Sequence, residues 1–375
     1  MAGTQRMTSA SLPDSPSRIA ELSVDGSVVR DTFTGYHHVT RVLPYEGRIW
    51  VKCREPRAQI LWFDRRCFTS EEELLLNLRE LEIERVPDVV TIGRTHFQGF
   101  IEGRTLGVRH WWQSRRVPEV LTDQLLEIFR QLVQIRPDML KAQRRCTADD
   151  RSDDYDTDGF LERLIVFMED QVYAENLPLF EGLFSELGIG EESFTRLRKS
   201  VYGLERRPFS LLHADLHREN LIVDPQGHIW VIDWELAMVG DPLYDLATHL
   251  YLMKFPEPQE RRMAQEWSRV VERARQGSSL GWEDDLPRIL AFKKAQSVFT
   301  DVIRVSLQLD RRGDLNWFGL PFAATKLHRI LLAAAEPLGL DTVPNHSRIA
   351  RALVRWHRTK DLGKRPTADV PTPTS

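Results

Sequence analysis

Lysine is scarce in this chain: of 51 basic residues only 9 are lysine and 42 are arginine, the usage of a GC-rich genome. The net charge is −4 at pH 7, so no broad positive field recruits nucleic acid or an anionic membrane. Arginine clusters such as Arg311-Arg312 and Glu260-Arg261-Arg262 are mixed with acids and read as solvated helix faces. Cysteine is scarcer still. Cys53, Cys67 and Cys146 form an odd set with no C-x-x-C spacing, which argues against a disulfide framework or a zinc site and fits a reducing cytoplasm. No apolar run reaches the roughly 18 residues needed to span a bilayer. The opening stretch MAGTQRMTSASLPDSPSR lacks the apolar centre of a signal peptide. There is no internal repeat, and G-x-S-x-G, H-E-x-x-H and G-x-x-x-x-G-K-[ST] are all missing, which removes the hydrolase, zinc-peptidase and P-loop chemistries they carry.

What is present is a chain of 375 residues, 42% hydrophobic and 28% charged, enough for two lobes with a sizeable core. Its most informative stretch is Leu211 to Thr248. His213-Ala214-Asp215-Leu216 followed by Asn220 has the spacing H-x-D-L-x-x-x-N. Phosphoryl transfer needs a carboxylate to orient the acceptor hydroxyl and take its proton. It also needs an amide oxygen and a second carboxylate to hold the Mg²⁺ that bridges the nucleotide phosphates. Asp215 suits the first role, Asn220 and Asp233 the second. Leu221-Ile222-Val223 and Ile229-Trp230-Val231-Ile232 read as β-strands around Asp224-Pro225-Gln226-Gly227, which has the residues of a type I turn. Such a hairpin puts Asn220 opposite Ile232 and brings the amide and the Asp233 carboxylate to one end.

These residues resemble the aminoglycoside phosphotransferase and choline kinase group of the protein-kinase-like fold. In that group Asp233-Trp234-Glu235 stands where protein kinases have D-F-G, and a G-D-P-x-x-D-L-A motif follows, here Gly240 to Ala247. The resemblance implies that Asp245 braces the catalytic loop, that His213 is architectural, and that ATP or GTP is the donor with Mg²⁺. Glu235 has no settled role: it is either close behind the metal or merely polar. The likeness is specific over roughly residues 209–250, looser over 35–107 and topological beyond.

The implied fold is α+β and bilobal. A small β-rich lobe over residues 21–102 binds nucleotide, a larger helical lobe spans 103–358, and disordered segments are expected at 1–20 and 359–375. In the small lobe, Tyr36–Leu43 and Arg48–Arg54 read as a hairpin. Lys52 sits where the family places its phosphate-contacting strand lysine. The helix from Thr69 to Arg79 starts on Thr69 or Ser70, with Glu71-Glu72-Glu73 suited to its N-terminal dipole. The family pattern selects Glu71 to aim Lys52, with Glu72 or Glu73 the choices if the register slips. The phosphate loop is poor: Gly35, in Thr34-Gly35-Tyr36-His37-His38, replaces a full glycine-rich loop. Adjacent strand residues point to opposite faces, so His37 and His38 do not make a joint metal site. His96–Leu106 resembles the family's hinge, with the backbone of Gly99 and Ile101 at the base edge.

Helices are expected at Thr122–Arg136, around Phe160–Val172, and at Leu246–Lys254, Arg288–Leu309, Pro321–Ala334 and Ser347–His357. Asp154-Tyr155-Asp156-Thr157-Asp158-Gly159 opens like a calcium loop, but position twelve is Ile165 where a bidentate Glu is needed. The acidic run Asp149, Asp150, Asp153, Asp154, Asp156 and Asp158 is either a solvated loop or a wall of the acceptor pocket. As a wall it would favour a cationic, polyhydroxylated acceptor such as an aminoglycoside, and the protein would act in antibiotic resistance. The alternatives are a choline- or homoserine-type metabolic kinase and an inactive nucleotide-binding relative. A cytoplasmic monomer or weak dimer is expected, without nucleic-acid or membrane partners.

Overall fold

The computed structural model describes residues 30–34, 38–45, 49–56, 65–93, 95–107, 116–311 and 313–360. Both expected terminal disordered segments fall almost wholly outside them, as does Gly35. The architecture is α+β, a β-rich N-terminal part followed by a helical one.

The N-terminal sheet has the order β1-β2-β3-β5-β4, with every pair antiparallel. Its strands are β1 (Asp31–Thr34), β2 (His38–Tyr45), β3 (Ile49–Pro56), β4 (Val89–Ile92) and β5 (Thr95–Gly99). Leu43, Val51, Cys53 and Phe97 form its own small core. Between β3 and β4 lies helix α1 (Glu71–Glu80), capped by Ser70, whose hydroxyl accepts the Glu73 N–H. Leu74, Leu75 and Leu78 of α1 belong to the large core of the helical part, so this helix joins the two regions mechanically.

From β5 the chain enters β6 (Arg104–Thr105), which pairs with β8 (Leu221–Val223), itself paired with β9 (Ile229–Val231). Gly103 makes this approach possible: a Cβ there, at φ +156°, would lie 2.4 Å from the Val223 carbonyl oxygen. In the β8–β9 hairpin Ile222 faces Trp230, Gly227 N–H closes the turn onto Asp224 O at 3.0 Å, and Ile232 N–H donates to Asn220 O at 3.0 Å. A further pair joins β7 (Ser210–Leu212) to β10 (Met238–Gly240). Gly240 is required there, because a Cβ would fall 2.2 Å from the Phe160 ring.

The helical part consists of α2 (Glu119–Gln134), α3 (Thr157–Phe167), α4 (Leu177–Glu186), α5 (Glu191–Val201), α6 (Pro242–Met253), α7 (Glu257–Ala274), α8 (Trp282–Leu309), α9 (Leu320–Ala333) and α10 (His346–Thr359), with shorter turns between them. Helix α8 begins six residues before the expected Arg288. It carries Pro287 inside its second turn, and its first turn holds Glu283, Asp284 and Asp285, acids that suit the N-terminal dipole. Helices α6, α9 and α8 pack together, and their polar faces border the cleft described next. All three cysteines are free thiols. Among the described residues no helix is long and apolar enough to cross a membrane.

Candidate active site

The loop after β7 is held from below by a buried carboxylate. Asp245, in the first turn of α6, accepts the His213 N–H at 3.1 Å and the Ala214 N–H at 2.7 Å. These bonds hold Ala214 in the left-handed region at φ +63°, a conformation that costs a non-glycine residue about 1 kcal/mol. Burial pushes the Asp245 carboxyl up to about 6 even against those two hydrogen bonds. His213 is fully buried. Its Nδ1 accepts the Asp215 N–H at 3.3 Å, so the ring proton lies on Nε2 and donates to Ile232 O at 3.2 Å. Burial depresses its pKa to about 4, which keeps the ring neutral. The ring meets the buried Trp234 edge-on at 4.7 Å.

Asp215 itself reaches the surface, with 28% of its side chain exposed. Asn220 Nδ2 donates both to its backbone carbonyl and to its Oδ2, each at 3.0 Å. His217 Nε2 lies 3.4 Å from the same oxygen. Because Glu219 N–H donates to His217 Nδ1 at 3.1 Å, the His217 proton faces the carboxylate. Burial opposes charge on His217, but the hydrogen bond to Asp215, the Asp215 charge and then that of Asp233 together raise its pKa. Asp215 Oδ1 makes no hydrogen bond with the described residues.

Asp233 follows β9 in a second left-handed conformation, φ +68° and ψ +66°. The next N–H, of Trp234, donates to Glu71 Oε1 at 2.8 Å, which ties α1 to this loop. Glu72 instead accepts from Ser70 and Gln98, and Glu73 is exposed. Glu235 is paired with Arg66 at 2.7 Å, both largely buried. Burial lowers the Arg66 pKa although Glu235, Glu71 and Asp233 all act to raise it.

The donor set fits a hard divalent cation. Asn220 uses its amide nitrogen on Asp215, which turns its oxygen outward, and Asp233 supplies a carboxylate at the same end of the hairpin. Among the described residues no group of three or more His, Cys, Asp or Glu could hold a metal unaided. Magnesium is held in this way elsewhere, by one or two carboxylates with waters and phosphate oxygens completing its shell.

Asp215, Asn220, Asp233 and Glu235 border one cavity of about 970 Å³. Lys52, Glu71, Gly99 and Ile101 do not border it. Lys52 is a buried residue of β3, 8% exposed, opposite Val42 and Gln98. The Gly99 N–H is already engaged, donating to Asp88 O at 2.7 Å, so it is not open to a ligand. The Ile101 backbone makes no hydrogen bond with the described residues.

The structure does not bring the acidic run into this cavity. Four of its six carboxylates are engaged in holding loops. Asp156 caps α3 by accepting the Gly159 N–H at 3.0 Å. Asp158 accepts from Gly203 and Leu204 at 2.8 and 3.0 Å, and Asp154 accepts the Phe209 N–H at 2.7 Å, just before β7. Asp150 accepts from the Thr147 side chain and backbone, which hold its pKa low against partial burial. Asp149 and Asp153 make no side-chain bond with the described residues.

Sequence reasoning missed Arg66, His217 and the far wall of the cavity. Arg66 stands alone between irregular segments, so no motif marks it. His217 lies inside the H-x-D-L-x-x-x-N spacing but at a position that the spacing leaves free. The wall is built mainly by α8 and α9, for which the sequence pattern yields helical ranges and no polar face. Its signal was the spacing of Lys293, Ser297, Thr300 and Arg304 along one face of α8.

The family model for the phosphotransferase enzyme family matches residues 54–279, which hold this loop, its hairpin and α6. No curated protein matches the chain. Similar solved structures include a choline/ethanolamine kinase family protein from Mesorhizobium loti, 14% identical, covering 91% of this chain and 99% of that one with a TM-score of 0.47. Macrolide 2'-phosphotransferase MphH from Brachybacterium faecium is 16% identical, with 88% and 98% covered and a TM-score of 0.48. Choline kinase LicA from Streptococcus pneumoniae is 14% identical, with 92% and 100% covered and a TM-score of 0.45.

Proposed function

The chain belongs to the phosphotransferase enzyme family, and from that premise we propose that it moves the γ-phosphate of ATP or GTP to a hydroxyl of a small molecule. The observation that carries this reading is the state of Asp215. Its Oδ2 is held by Asn220 and His217 while Oδ1 is left for an acceptor hydroxyl in the cavity. A carboxylate so placed can orient the hydroxyl and take its proton, and the hydrogen bonds on Oδ2 keep it from turning away. Mg²⁺, when bound at Asp233 and Asn220, offsets phosphate charge. Lys52 is assigned to the nucleotide phosphates. Glu71 is assigned to holding the Asp233 loop to α1, on the strength of its bond to the Trp234 N–H. Ile101 offers an unused backbone N–H to a base edge. Residues 21–102 then serve as the nucleotide lobe and 103–358 as the acceptor lobe, in a cytoplasmic enzyme that is monomeric or weakly dimeric.

For the acceptor, an amino sugar requires an acidic wall. The expected one, Asp149 to Asp158, borders no part of the cavity and four of its six carboxylates hold loops, so an aminoglycoside and a resistance role are left without their support. A metabolic small-molecule kinase is the better second term, though not one for a cation such as choline, because Lys254, Lys293, Lys294, Arg304, Lys326 and Arg329 line the same cavity as Asp215. The metal assignment is tested by Asp233→Ala and Asn220→Ala. Asp233→Ala should abolish divalent-dependent transfer; Asn220→Ala should do less, since an amide carries no charge. Equal and mild losses from both would reject the hairpin as the metal site.

A further inference from the structure

Six cations on three helices border the cavity: Lys254 at the end of α6, Lys293, Lys294 and Arg304 on α8, and Lys326 and Arg329 on α9. Asp301 is the one carboxylate these elements add to the lining among the described residues. It is paired with Lys326 at 2.8 Å. Lys293 Nζ donates to the Tyr244 hydroxyl at 2.9 Å and the Gln296 oxygen at 2.8 Å, neutral partners that do not offset its charge. The Lys294 and Arg329 side chains make no hydrogen bond or ion pair with the described residues. Glu260 on α7 feels the Lys294 charge without pairing with it, and Asp245 feels that of Lys293 from behind the loop. Between the cations lie Tyr251, Ser297 and Thr300, the first donating to the second at 2.7 Å.

Lysine usage points the same way. Of only nine lysines in the chain, Lys254, Lys293, Lys294 and Lys326 all face this one cavity. Like charges gathered on a concave surface repel one another, and the cost falls when an anion enters. The nucleotide is not the evident anion. Its phosphates are assigned to Lys52, outside the cavity, and through Mg²⁺ to Asn220 and Asp233, whereas the six cations stand on other elements, α6, α8 and α9, and the N-terminal sheet lends the cavity only Thr40. We propose that the acceptor is an anionic hydroxylated molecule, its carboxylate or phosphate seated among Lys294, Lys326 and Arg329 while a hydroxyl meets Asp215. This rests on the phosphotransferase reading and narrows its substrate class.

One carbon skeleton in four charge states provides the test: glucose, gluconate, glucose 6-phosphate and glucosamine. Binding is measured by calorimetry with ADP and Mg²⁺ present, and transfer is followed with γ-labelled nucleotide. Gluconate or glucose 6-phosphate should bind at least about tenfold more tightly than glucose, and glucosamine least, the scale of one charge-assisted hydrogen bond. The better of the two anions tells carboxylate from phosphate. In the double variant Lys294→Gln and Arg329→Gln that advantage should vanish, with the acceptor KM raised, the nucleotide KM unchanged and the salt dependence flattened. Glucose or glucosamine binding as well as the anions, or anion binding unaltered in the double variant, would overturn the proposal. Anion binding lost in the variant, with no transfer to any acceptor, would keep the anion site and reject the phosphotransfer reading instead.

Discussion

Two charged regions of this molecule contrast: the acidic run from Asp149 to Asp158, contiguous in sequence, and the basic wall of the cavity, gathered from residues 254 to 329. The run is conspicuous on paper, yet its carboxylates accept backbone N–H groups at 159, 203, 204 and 209 and so hold the approach to β7. The wall is invisible on paper, yet it lines the same cavity as Asp215. Contiguous acids around a helix start have free N–H groups within reach and are readily used as caps. A charge cluster that meets a ligand has to be assembled across helices, at positions three, four and seven residues apart.

If the acidic side is structural, substitutions there should act on stability. The largest effect is expected at Arg207, fully buried behind the run, with Asp241 at 2.9 Å, Asp285 at 2.8 Å, and Thr157 also bonded to Asp241. Arg207→Ala leaves buried Asp241 without its cation and Asp285 with only Arg288, at 3.6 Å, and should cost about 3–5 kcal/mol in urea unfolding. A loss below 1 kcal/mol would show that solvent reaches this cluster.

A pH series separates buried structural charge from cavity charge. Burial depresses His213 and His249 to about 4 from the ordinary value near 6.5. The unfolded chain therefore binds more protons than the folded one across this range, so their contribution is complete above about 6.5 and is lost as pH falls toward 4. Asp245, raised by burial to about 6, acts in the opposite sense and loses its contribution as pH rises from about 4 to 6. Urea midpoints should fall between pH 6.5 and 4.5, less steeply in His249→Gln than in the wild type. Equal slopes would mean that His249 is not held neutral by burial.

Smaller and more discriminating is a pair of single changes. Asp156→Ala removes the cap of α3 and should cost about 1 kcal/mol with acceptor KM unchanged. Lys294→Gln should change stability by less than about 0.5 kcal/mol while raising acceptor KM. The reverse pattern would exchange the roles of the two regions. The smallest effect concerns Ala214 at φ +63°, where Ala214→Gly should leave stability equal or raised by under about 1 kcal/mol. A marked loss would show that the Asp245 bonds alone do not set that conformation.

The fold was legible where local chemistry decides it. The turn at Asp224–Gly227 and the pairing of Asn220 with Ile232 follow from short-range rules and are present. So is the start of α1 on Ser70. Less legible were features set by tertiary contact. The α8 start was read past Pro287, and Gly99 was assigned to a ligand although its N–H is taken by Asp88. Arg66 gains its meaning only from the approach of Glu235, 169 residues away.

The central claim is that Asp215 serves as the base of a phosphotransferase, and Asp215→Asn tests it most directly. With γ-labelled nucleotide and the best acceptor, the variant should bind ADP and melt as the wild type does while transfer falls by about 10²–10⁴. Transfer within a factor of two of wild type would contradict the account.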